Sequence, residues 1–111
     1  MSALKPHEQL VVDRLVGNGL SSELLSDLKE NGAVSSYETT GNGFFLTLKH
    51  EGLPSERTVY STPTLIGESA GIQSGFVIFI EDGELTIECH GWVAEEVPED
   101  YRDQNIQIRE T

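Results

Sequence analysis

The stretch from Gly75 to His90, GFVIFIEDGELTIECH, constrains the fold more than any other part of the chain. It holds two runs rich in β-branched and aromatic residues, joined by Asp82-Gly83. That dipeptide accepts the two positive φ angles of a tight type I′ turn, so the stretch predicts a β-hairpin. Phe76, Ile78 and Ile80 fall on one face of its first strand, Val77 and Phe79 on the other. A strand apolar on both sides is expected in the middle of a sheet. On the returning strand Leu85, Ile87 and Cys89 point one way and Thr86, Glu88 and His90 the other.

The remaining chain supplies elements to complete that sheet. Pro6 to Val16 has the fourfold spacings Val11/Leu15 and Val12/Val16, with Pro6 in a first turn that needs no N–H from it, and reads as an amphipathic helix. Gly17-Asn18-Gly19, which tolerates left-handed dihedrals, is expected to end it. A second helix starts after the capping hydroxyl of Ser21, buries Leu24, Leu25 and Leu28, and stops at Asn31-Gly32. From Ala33 the period becomes two: a hairpin turns at Gly41-Asn42-Gly43, and a third strand covers Arg57 to Ser61. Pro63 to Ser74 reads as a loop with Gly67 and Gly71 as its flexible points, and Ile106 and Ile108 mark a short terminal edge strand. The expected fold is therefore α+β: two N-terminal helices, residues 1–32, packed on a mostly antiparallel sheet of about five to six strands within 33–111. The predicted core includes Leu10, Val11, Leu15, Leu24, Leu25, Leu28, Leu46, Ile78, Ile80, Leu85 and Ile87.

At 111 residues the chain suits a single domain, 1–111. The N-terminus lacks the apolar core of a signal peptide, and no run approaches the roughly 18 apolar residues of a membrane span. One cysteine, Cys89, makes neither an internal disulfide nor a cysteine-based zinc site. These features lead us to expect a cytoplasmic protein. Nineteen acids against seven bases give a formal charge of −12. Glu81, Asp82, Glu84, Glu88, Glu95, Glu96, Glu99, Asp100 and Asp103 are concentrated in one segment with Arg102 as its one base. Such a field repels phosphate backbones and anionic membranes and attracts basic protein surfaces. Nucleic acid and membrane are thus not expected as partners.

No residue set points to catalysis. Cys89 and His90 are neighbours on a strand and face opposite sides, so they do not form a thiolate–imidazole pair. Glu88 and His90 share a face, but two groups fall short of a metal site. The acids around Glu95 lack the ligand alternation of a calcium loop, and Gly67-x-x-x-Gly71 lacks the lysine of a phosphate loop. The expectation is no enzyme, no metal and no cofactor. Trp92, set beside the densest acids, is a candidate anchor for a basic partner or, on the blander reading, closes one end of the core.

The ending SGFVIFIEDGELTIECHGW…VPEDY resembles the C-terminal part of small acidic bacterial immunity proteins of contact-dependent inhibition and other polymorphic toxin systems, over about a third of the chain. The resemblance implies a cytoplasmic protein that binds and neutralises one toxin domain, often a nuclease with a basic cleft. The residues themselves add Glu84, Glu88, Trp92, Glu95, Glu96, Glu99, Asp100 and Tyr101 as the expected partner-binding set. Two other readings stay open: a small-ligand binding domain or small enzyme using Gly67 to Gly71 with His50, Glu88 and His90, and an acidic mimic of nucleic acid.

Overall fold

A computed structural model of the chain describes residues 3–92 and 96–111. Helix α1 (Pro6–Val16) and helix α2 (Ser22–Asn31) come first, followed by strands β1 (Ala33–Thr39), β2 (Gly43–Lys49), β3 (Thr58–Tyr60), β4 (Leu65–Ser69), β5 (Ile72–Glu81), β6 (Glu84–Gly91) and β7 (Gln107–Glu110). A 3₁₀ turn, Tyr101–Asp103, lies between β6 and β7. The class is α+β, as the hydrophobic periodicities predict.

Local chemistry explains where the helices begin and end. Glu8 accepts the backbone N–H of Lys5, the residue before α1, and Pro6 occupies the first turn. Ser21 caps α2 by accepting the N–H of Leu24. The end of α1 departs from expectation. Gly17 keeps right-handed dihedrals (φ −56°, ψ −28°), so the chain leaves this helix without a left-handed residue there.

All strand pairings are antiparallel, and the order is β1-β2-β6-β5-β4-β7. Along its other side β5 pairs first with β4, at Ile72 to Gly75, and then with β3, at Ile78 to Ile80. The strand read as apolar on both sides is therefore the central one. The segment predicted as a loop from Pro63 to Ser74 is instead a hairpin, which brings the sheet to seven strands. Its turn is Ala70-Gly71, with φ of 53° and 82°. Alanine seldom adopts such a φ, so the sequence carried no turn signal there. Gly67, expected to be flexible, lies inside β4, where a Cβ would come within 2.8 Å of both Ile106 and Phe76.

One face of the sheet is buried against α1, α2 and the chain after β6. Phe44, Leu46, Leu48, Phe76, Ile78, Ile80, Leu85, Ile87 and Cys89 line it, meeting Val11, Val12, Leu15, Val16, Leu25 and Leu28. Two predicted core residues are corrected: Leu10 is 46% exposed and Leu24 is only half-buried. The buried stripe of α1 runs through His7, Glu8, Val11, Val12, Leu15 and Val16, which leaves Leu10 on the helix's far side. Gly43 permits the close approach of β2 and β6. It has φ +153°, and a Cβ there would collide with the carbonyl oxygen of Cys89.

Candidate functional site

Residues opposite one another in an antiparallel sheet share a face, so the register defines the side of the sheet that the helices leave open. One cross-strand row there reads Glu38, Phe45, Glu88, Val77 across β1, β2, β6 and β5. The next reads Thr47, Thr86, Phe79, Val59, and a third places Lys49 and Glu81 on either side of Glu84. Phe45, Val77 and Phe79 are half-buried, and Val59 is exposed. Arg57 extends over the Phe79 ring, its guanidinium carbon 5.2 Å from the centroid, and pairs with Glu81 at 3.3 Å. Glu38 and Glu88 form no ion pair among the described residues. The open face is thus an apolar and threonine-lined centre framed by four carboxylates and by Lys49 and Arg57.

Its far end is built on Gly75. A Cβ at Gly75 would lie 2.7 Å from His90 Nε2 and 3.2 Å from Trp92 Cε3, so both rings sit over this glycine on the open face. Trp92 is half-buried there. Ile66, opposite Gly75 in β4, is buried on the same side, apart from the main core. The Nδ1 of His90 is buried without a hydrogen-bond partner among the described residues.

The expected partner-binding residues separate in space. Glu84, Glu88 and Trp92 share the open face. Glu95 lies outside the described residues. Glu96 is exposed beside the tip of the first hairpin, where Val97 donates its N–H to the carbonyl of Gly41. Glu99 and Asp100 are exposed but belong to a segment that has crossed to the helix side. Tyr101 is a correction: it is fully buried, its hydroxyl 2.8 Å from Ser74 Oγ, so its ring offers no exposed surface for an anchor. Its acidic neighbours place it in the expected partner-binding set, whereas the 3₁₀ turn directs the ring into the core together with Val97. Phe45, Phe79, Val59 and Glu38 were missed as site residues. Their alternation with core positions was visible, but nothing local says which face of a sheet stays uncovered.

The groups named for other chemistry do not converge. His50 accepts the N–H of Gly52 at Nδ1, which leaves Nε2 to donate to Asp27 at 2.5 Å and ties α2 to the end of β2. That bond, with a second from Asn31, holds the Asp27 carboxyl below its usual range. Both nitrogens of His50 are therefore engaged, on the opposite side of the sheet from Glu88 and His90. Burial pushes the Cys89 thiol up to about 12, which makes it a poor source of thiolate. Among the described residues no three His, Cys, Asp or Glu side chains are grouped to hold a metal ion. No described helix is long and apolar enough to cross a membrane. No protein-family model, curated protein or solved structure matches the chain.

Proposed function

We propose that this protein acts by binding, and that it neutralises a basic protein partner in the manner of an immunity protein that blocks its cognate toxin domain. The observation that carries this reading is the open face of the sheet, where Phe45, Val77, Phe79 and Val59 lie among Glu38, Glu81, Glu84 and Glu88, four acids against the two cations Lys49 and Arg57. An apolar centre with a charged rim is the composition of a protein interface, and the rim's sign selects a positively charged surface. A nuclease must be positive where it holds a phosphate backbone, so an inhibitor of net charge −12 is steered onto that cleft and covers it. Occlusion requires no catalytic group in the inhibitor.

A large secreted protein with a variable C-terminal domain encoded beside this gene would favour this reading, and the test is co-expression with that domain. The expected result is a stoichiometric complex and relief of growth arrest. Glu88→Lys should slow association, with a deficit that shrinks as salt rises, because rim charges act through screened long-range attraction. Phe45→Ala should speed dissociation at any salt, with a loss of about 2 kcal/mol if the ring is an anchor. A Glu99→Gln/Asp100→Asn variant, altered on the helix side with the same change in net charge as Glu88→Lys, should bind nearly as well as the parent. If that variant loses binding while the Glu88 and Phe45 variants keep it, the open face is not the binding surface.

A further inference from the structure

Strand β1 forms one edge of the sheet. All seven of its residues are exposed, and among the described strands it pairs only with β2. Native sheets blunt their edges with short strands, lysine, proline or bulges. The opposite edge follows that practice, since β7 has four residues and carries Arg109. β1 has neither lysine nor proline, and its one irregularity lies near its start, between Val34 and Ser36. Beyond that bulge, Ser36 to Thr39 run in regular register.

The backbone of this stretch faces outward in a definite pattern. Thr40 donates its N–H to Gly43 across the hairpin, so alternation directs the N–H and C=O groups of Glu38 and Ser36 toward β2 as well. Those of Tyr37 and Thr39 point away from the sheet. The bulge also places Val34 and Tyr37 on the same face, opposite Leu48 and Leu46. Both are exposed, at 46% and 40%.

Charge indicates what pairs with this edge. Glu38 is the only charged residue between Glu30 and Lys49, in a chain that carries nineteen acids. A surface meant for a basic partner concentrates acid, as the open face does. A surface that meets its own copy must avoid it, because each acid would face its twin. We infer that β1 pairs antiparallel with β1 of a second copy about a twofold axis, joining two sheets into one. Centring the axis on Glu38 would set two carboxylates opposite each other. Centring it on Tyr37 matches the outward backbone groups of Tyr37 with those of its twin, places the two rings side by side, and sets Ser36 opposite Glu38 of the other copy. The second register is the one assigned.

So short an edge buries less than the roughly 1,200 Å² of a standard interface, so the dimer is weak and reversible. Two copies of charge −12 also repel at long range, so salt strengthens self-association. The opposite salt response is expected for a basic partner, which separates this inference from the proposed function. Sedimentation velocity of the full chain from about 1 to about 300 µM, in low and high salt, should show dimer at the upper end that increases with salt. Amide exchange at Tyr37 should slow over the same range, while that at Val59 should not.

Two substitutions test the register. Ser36→Lys faces Glu38 of the other copy twice and should tighten the dimer roughly 2- to 30-fold, whereas Ser36→Glu should weaken it by a similar factor. Asn18→Lys, at an exposed site between the helices, changes net charge equally and should have a much smaller effect than Ser36→Lys. Sedimentation as a monomer at every concentration and salt would overturn the inference and leave β1 to a foreign strand. So would Ser36→Lys and Ser36→Glu variants that shift the equilibrium in the same direction, or exchange protection that appears at β7 in place of β1.

Discussion

Arg102 links parts of the chain that are distant in sequence. Its guanidinium donates to both carboxylate oxygens of Glu8, at 2.7 and 2.9 Å, and to the carbonyl of Ala3, and it rests over the Tyr37 ring. Glu8 is fully buried. Removing one member of a buried pair leaves the other uncompensated, so Arg102→Ala should lower unfolding stability by about 3–5 kcal/mol. Replacing both partners with leucine should cost much less, because no isolated charge remains. Denaturant midpoints of the two variants check this; equal losses would mean that packing, not the orphaned carboxylate, dominates. None of this was legible in the sequence. In the sequence Glu8 is one polar residue in the first turn of α1, and only the return of the chain through Tyr101–Asp103 gives it a guanidinium partner.

Among the secondary-structure elements, two hairpins use the same turn with different residues. β5 and β6 are joined by Asp82-Gly83, β4 and β5 by Ala70-Gly71, and the first residue of each pair has φ 53°. Aspartate tolerates that conformation through local hydrogen bonding, whereas alanine is strained by its Cβ. Nothing lies within 4 Å of where a Cβ would project from Gly71, so the turn is open to solvent. Ala70→Asn should therefore stabilise the protein by about 0.5–1 kcal/mol, read as a raised denaturant midpoint with unchanged slope. An unchanged or lowered midpoint would show that the strain is relieved elsewhere. The same residue explains why the sequence predicts one hairpin and reads as a loop at the other.

For the molecule as a whole, acid should act through His7. Burial first, then the positive charges of Arg102 and Lys5, lower its pKa from 6.5 to about 4. Its Nε2 has no hydrogen-bond partner among the described residues. Below pH 6.5 the unfolded chain takes up a proton that the folded chain refuses until about pH 4. Unfolded protein then binds more protons, so stability falls as pH drops through this window and is unaffected by this group above it. Urea unfolding between pH 7.5 and 4.5 should show a decline that His7→Gln reduces. An identical pH slope in that variant would exclude His7 as the origin.

The sequence by itself determined the elements that depend on neighbours along the chain: α1 and α2 from their spacings and the Ser21 cap, the β5–β6 hairpin from Asp82-Gly83, and the central place of β5 from its two apolar faces. It also determined the sign of the charge. The tertiary structure decided which groups meet. It turned Tyr101 inward, moved Glu99 and Asp100 to the side away from Glu88, and left Phe45 and Phe79 uncovered. Periodicity reports only that a residue alternates with its neighbours. Whether the face it points to is buried depends on where the helices pack, and they cover one side of this sheet and leave the other to solvent.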